Sequence, residues 1–138
     1  MRVDGICTRK VEVAAPEQTV AEASARMRDA GIGTLVVVDA LERPLGILTD
    51  RDVALRCVAE GRDPEKTALE QLMSGPAAWT RPETPVDEAV AEMTRLRVRR
   101  LPVVDERDRL VGMLSLDDVL AAHHPAESVL GKALRETL

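Results

Sequence analysis

Pro44-Leu45-Gly46-Ile47-Leu48-Thr49-Asp50-Arg51-Asp52-Val53 passes from an apolar segment through a hydroxyl into a charged one. Leu45 to Leu48 reads as a strand, Thr49 as the turn that ends it, and Asp50 onward as the start of a helix. The design returns 66 residues later as Leu110-Val111-Gly112-Met113-Leu114-Ser115-Leu116-Asp117-Asp118-Val119. Both copies hold a glycine, two apolar residues, a hydroxyl, two spacers and an aspartate. The same offset aligns Pro16 with Pro82, Val20 with Val86, Met27 with Met93, Leu35 with Leu101 and Asp39 with Asp105. From position 16 to 53, 16 of 38 positions are identical without a gap, which marks an internal duplication.

Upstream of this stretch, Val11-Glu12-Val13 alternates as a short strand and Pro16 interrupts it. Thr19 and Glu22 have the spacing of a capping box. Val20, Ala23, Met27 and Ala30 follow at helical spacing, and Gly31 and Gly33 close that helix. Leu35-Val36-Val37-Val38 is the continuous apolar run of a strand covered on both faces. A charged turn from Asp39 to Pro44 predicts a hairpin with Leu45 to Leu48. The next helix is predicted over 50–60, with Val53, Ala54, Cys57 and Val58 inward and Gly61 at its end. In the second copy, Thr84-Pro85 puts proline at the first helical position.

Each copy is therefore β-α-β-β-α, and a unit of about 55 residues is marginal alone. The expected fold is α/β (α+β): two such motifs packed as a pseudo-two-fold pair, plus a C-terminal helix. The expected division is 3–61 for the first motif, 62–68 for a polar linker, 69–122 for the second motif and 123–138 for a helical tail. In the tail, Pro125 can start a helix whose stripe is Val129, Leu130, Ala133 and Leu134, free to dock on a neighbour.

Composition narrows the function. The 138 residues are 45% hydrophobic with no Phe, no Tyr and one Trp, so aliphatic side chains must fill the core. Trp79 reads as core or dimer packing. A net charge of -5 without aromatic stacking platforms argues against nucleic acid. No apolar run approaches the roughly 18 residues of a membrane span, and Met1 to Gly5 has no signal-like core. Two cysteines fit a reducing compartment, so the expected location is cytoplasmic. No Ser-His-Asp order, phosphate-binding loop or dinucleotide fingerprint is present, which points away from an enzyme. Cys7, Cys57, His123 and His124 lack metal-ligand spacing, so no metal is expected. A thiol or metal redox sensor built on those four residues stands as an alternative.

The duplicated turn carries the chemistry. Thr49 and Ser115 fall where free backbone N–H groups and the positive end of a helix meet, which suits a phosphate. Asp52 and Asp118, three residues on, can each accept from two neighbouring hydroxyls, as on a ribose. Phosphate and ribose together describe a nucleotide. The same pairs are also plain helix caps, so a ligand-free structural module is a second alternative. The copies differ in charge: Arg97, Arg99 and Arg100 precede the second apolar strand, where the first copy has Gly33 and Thr34 at the places of Arg99 and Arg100. The first copy instead has Arg51 inside the turn, where the second has Asp117, whose charge would repel phosphate unless it points away.

Leu101-Pro102-Val103-Val104-Asp105 with Leu110 to Ser115 and Asp118, and Leu35 to Asp39 with Gly46 to Thr49 and Asp52, resemble CBS motifs. Over about residues 3 to 122 the chain resembles a tandem CBS pair, or Bateman module. Thr49-Asp50-Arg51-Asp52-Val53 and Val98-Arg99-Arg100-Leu101-Pro102 are similar to small stand-alone bacterial members of the hypoxic-response type. The resemblance implies a regulatory module that binds AMP, ADP, ATP or S-adenosylmethionine in the cleft between the motifs and signals by a change of conformation. It implies phosphate on Thr49 and Ser115, with basic help near Arg100, and ribose on Asp52 and Asp118. The base would lie against Val13-Ala14-Ala15 and Trp79-Thr80-Arg81. It also implies a homodimer through helices, with the faces of Val20, Met27, Val86 and Met93 or the tail helix as candidates, and a downstream protein effector.

Overall fold

The computed structural model describes residues 1–75, 78–124, 126 and 128–137, with the side chain of residue 137 left aside. Pro125, expected to start the tail helix, lies outside the described residues. The chain divides into two compact units, and the division is not that of the sequence repeats. One unit holds 11–78 with 106–110, and the other holds 1–10, 79–105 and 111–138.

In the unit of residues 11–78, strand β1 (Val13–Ala14) runs parallel to β2 (Thr34–Val38), which pairs antiparallel with β3 (Pro44–Thr49). The β2–β3 register sets Thr34 opposite Thr49 and Leu35 opposite Leu48. Leu35, Val36 and Val37 are all fully buried, as a continuous apolar run requires. Helix α1 (Val20–Ala30) begins with the Thr19 hydroxyl accepting from the Glu22 N–H, 3.2 Å, and ends with Gly31 left-handed at φ +66°. Only the hydroxyl half of the expected capping box forms there. Val20, Ala23 and Met27 of α1 enter a core with Leu35, Val37, Leu48, Cys57, Leu69 and Leu72.

Helix α2 (Asp50–Asp52) continues as a π-helical stretch, Val53–Val58. The wider winding shows in the Ala59 N–H to Ala54 carbonyl and the Arg62 N–H to Cys57 carbonyl, both 2.9 Å. Cys57 is buried and Val53 half-buried, but Ala54 is exposed and Val58 is 69% exposed, contrary to the inward placement expected of them. The core already holds two strands and Leu69 and Leu72, and it accepts only the narrow line of Val53 and Cys57. Residues 62–68, expected as a linker, are tied into this unit. Val20 N–H donates to the Thr67 carbonyl and Ala21 N–H to the Pro64 carbonyl, and Thr67 is buried.

β4 (Arg100–Val104) and β5 (Leu110–Ser115), which belong to the other unit apart from Leu110, form a two-stranded sheet. Their connection, 105–109, is too short for anything but antiparallel pairing. Thr80 bridges to Val103 in parallel, as Ala14 does to Val37 at the same offset. Helix α3 (Val86–Leu96) follows Pro85, which sits at the cap and not at the first helical position. It ends on Arg97 at φ +57°, where the first copy has Gly31. Arg97→Gly should therefore stabilise the protein by about 0.5–1 kcal/mol, read as a higher denaturant midpoint at unchanged slope.

Helix α4 (Leu116–Ala122) meets the tail helix α5 (Val129–Thr137). The Arg135 guanidinium donates to the carbonyls of Ala121 (2.7 Å) and His124 (3.0 Å), so the tail closes the end of α4 in its own unit. Of the apolar stripe of α5, Val129 is 88% and Leu130 50% exposed, while Leu134 is half-buried. Val20, Met27, Val86 and Met93 are all buried within their units, which removes them as dimer contacts. Trp79 is 37% exposed and is not a core residue.

Candidate functional site

Each duplicated turn forms a full capping box. The Thr49 hydroxyl accepts from the Asp52 N–H (3.1 Å), and the Asp52 carboxylate accepts from the Thr49 N–H (2.9 Å). Ser115 and Asp118 repeat this with 3.1 and 2.9 Å. All four residues are half-buried. The box holds hydroxyl and carboxylate side by side at the strand end, as the Thr-x-x-Asp and Ser-x-x-Asp spacings require. It uses one oxygen of each carboxylate and leaves the hydroxyl proton and the second carboxylate oxygen.

The second oxygen has different company in the two copies. In the unit of 11–78, Arg56 Nε lies 3.8 Å from Asp52 Oδ1, and Arg56 also donates to the Leu72 carbonyl at 2.8 Å. Sequence reasoning missed this latch, although an aspartate four residues before an arginine is its signal. The second copy has Ala122 at the equivalent position, so Asp118 lacks such an arginine.

The cations also divide. The Leu116 N–H donates to the Arg99 carbonyl at 2.9 Å, which brings Arg99 and Arg100 beside the Ser115 turn. Arg99 then faces Asp117 at 3.6 Å, so part of its charge is answered locally. The Arg100 guanidinium has no ion pair or hydrogen bond among the described residues. In the first copy the Asp50 N–H donates to the Gly33 carbonyl at 3.0 Å. A side chain at position 33 would strike the Asp50 carboxylate, 2.7 Å from where its Cβ would stand. Arg51 is exposed, and its side chain is likewise unpaired among the described residues.

The segments expected to hold the base each line a hollow on their own unit. Val13, Ala14 and Ala15 line a hollow of about 670 Å³ with Pro16, Arg26 and Val38 to Ala40. Trp79, Thr80 and Arg81 line one of about 340 Å³ with Thr84, Glu88 and Glu92. Val13 pairs with Val36, two residues along β2 from Thr34, and the hollow opens toward the Val38 end. Thr49 stands at the opposite, Thr34 end of that sheet. The structure thus joins Thr49 to Asp52 and Ser115 to Asp118, with Arg99 and Arg100 beside the latter. Val13 and Ala14 share the larger hollow, and Thr80 lines the smaller one.

Cys57 is buried, and its thiol donates to the Arg62 carbonyl at 3.5 Å. Cys7 is half-buried beside Gly112, and burial first, then the Asp118 and Asp4 carboxylates, push its thiol pKa up against the pull of Arg9. Among the described residues no group of three or more His, Cys, Asp or Glu side chains gathers as a metal site. Among the same residues no helix is long and apolar enough to cross a membrane.

Two duplicated β-α-β-β-α motifs with hydroxyl–aspartate turns define a tandem repeat. The sequence model of the CBS domain matches residues 3–58 and 69–124, and the chain belongs to that family. Hypoxic response protein 1 of Mycobacterium tuberculosis (strain H37Rv) is 31% identical over 113 residues, 82% of this chain and 78% of that protein. A crystal structure of Hypoxic Response Protein I, with two coordinated zinc ions, matches with a TM-score of 0.78 at 28% identity, covering 88% of this chain and 98% of that one. An uncharacterized protein of Methanopyrus kandleri, MK0525, is 34% identical over 86% of this chain, which spans 60% of that relative's length. The CBS pair of protein MJ0100, in complex with 5-methylthioadenosine and S-adenosyl-L-methionine, shares the fold: TM-score 0.77 at 24% identity, covering 88% of this chain and 94% of that one.

Proposed function

We propose that this CBS pair is a regulatory module that binds an adenosine-containing ligand, of the AMP, ADP, ATP or S-adenosylmethionine class, and signals through a change of conformation. The observation that carries the reading is the repeated turn, with hydroxyl and carboxylate locked side by side and one carboxylate oxygen left over. Phosphate or carboxylate of the ligand falls to Thr49 with Arg51, or to Ser115 with Arg99 and Arg100. Ribose falls to Asp52 or Asp118, and the base to Val13 and Ala14 or to Thr80. The Ser115 turn is the stronger of the two, because Arg100 is unpaired among the described residues and Asp118 has no Arg56-like latch. Ligand bias toward one conformation needs only differential affinity for two states. We place the module in the cytoplasm as a homodimer read by a downstream protein, without a metal of its own.

A second reading has a specific observation behind it. Both capping boxes are complete without a ligand, so each hydroxyl and carboxylate already has a structural use. Thermal shift against AMP, ADP, ATP and S-adenosylmethionine separates the two. Binding to the folded state raises the melting temperature by mass action, by about 2.7 kcal/mol of stability at a hundredfold excess over Kd. A rise with at least one of the four supports the sensor. No rise with any at millimolar concentration supports the structural module.

A further inference from the structure

Neither the sensor nor the structural reading uses the glycine of the duplicated stretch, yet both glycines are buried and crowded. A Cβ on Gly112 would stand 2.9 Å from the Thr8 carbonyl oxygen and 3.3 Å from Cys7 Sγ. A Cβ on Gly46 would stand 2.7 Å from the Ser74 carbonyl oxygen and 2.9 Å from Met73 Sδ. Thr8 and Ser74, and Cys7 and Met73, are themselves related by the 66-residue offset. In each unit the glycine strand is thus clasped by the leading segment of the other repeat.

We propose that residues 1–10 are a positioning strap for the Ser115–Asp118 turn, and that strap closure and ligand at the turn favour each other. Thr8 and Met113 exchange both backbone bonds, at 2.9 and 2.8 Å, two residues before Ser115. This pairing occupies the edge of β5 that β4 does not use. The strap is anchored upstream: Val3 is fully buried, and the Val3 and Asp4 N–H groups donate to the Thr84 and Pro82 carbonyls, both 2.9 Å. Its Cys7 thiol feels the Asp118 carboxylate. A strand end held on both edges fixes the direction in which Ser115 and Asp118 project. A released edge leaves the turn free to fray, and a ligand on Asp118 has a better-formed site when the strap is shut. The second half of the proposal rests on the sensor reading of this turn.

Thr8→Pro removes the N–H that bonds Met113, at an exposed residue. Amide exchange at Asp118, whose N–H is held by Ser115, should then quicken about tenfold, by easier local opening. Exchange at Asp52, held by Thr49, should stay unchanged, and Thr8→Ser should match the parent protein. If Thr8→Pro does not fold, Gly112→Ala is read by the same exchange. Unchanged exchange at Asp118 overturns the strap. The coupling is read separately, by the rate at which iodoacetamide alkylates Cys7 with and without AMP. In protein whose melting temperature AMP raises, alkylation should slow about fivefold or more, as expected for a site shut by ligand. An equal rate overturns the coupling. If AMP gives no rise in melting temperature, the sensor reading fails with AMP as its ligand, and exchange at Asp118 still decides the strap.

Discussion

Leu48→Ala should lower the stability of the protein by about 3 kcal/mol, within the range for a large-to-small change in a packed core. Leu48 is fully buried, pairs with Leu35 across β2 and β3, and precedes Thr49 directly. Removing its isobutyl group leaves a cavity among Leu35, Val37, Leu69 and Leu72 that rigid strands close poorly. With no Phe or Tyr in the chain, no large ring is at hand to swing into the gap. A loss of that size is a large share of the roughly 5–15 kcal/mol typical of a folded domain. It should lower the melting temperature by about 10 °C. Urea unfolding, followed by far-UV circular dichroism, checks it. A loss below about 1 kcal/mol would mean that Leu48 is not the close-packed residue described here.

Asp118→Ala should abolish most of any adenosine-nucleotide shift in melting temperature while costing only about 1 kcal/mol of stability, the scale of a lost cap. The carboxylate has two separate uses. One oxygen accepts from the Ser115 N–H at 2.9 Å, which is structural. The other is the acceptor proposed for a ribose hydroxyl, and deleting it leaves the ligand unpaired in a half-buried place. Asp52→Ala should cost similar stability but less of the ligand response, because Arg56 already faces Asp52 Oδ1 at 3.8 Å. Melting curves of the two variants, each with and without AMP, read stability and response together. Equal loss of response in both would remove the ranking of the two turns.

Much of the fold was legible because the duplication repeats whole elements. The strands, their hairpins and the buried faces of α1 and α3 follow from periodicity that the two copies reinforce. The leading segments were not legible as parts of the opposite unit. Val3 lies in a 3-10 turn of three residues, Val3–Gly5, with Ile6 and Cys7 just after it, so no period is long enough to read, and a long-range backbone pair such as Thr8 with Met113 has no side-chain signature. The signal that could have revealed them was the same offset carried further upstream, where Val3 matches Leu69 and Thr8 matches Ser74. At the site, hydroxyl and aspartate were legible from spacing, since a capping box is local. The Arg56 contact to Asp52 depends on how the first turn of the helix winds, which spacing alone does not encode. The hydrogen bonds from Arg135 to the end of α4 had no signal in the spacing of the tail.

If the Ser115 and Asp118 turn holds an adenosine ligand, isothermal titration of AMP, ADP, ATP and S-adenosylmethionine into the parent protein should give saturable heat with at least one of the four. The same titration into Asp118→Ala should lose that heat or show it strongly weakened. Absence of heat with all four, or an isotherm that Asp118→Ala leaves unchanged, would contradict it.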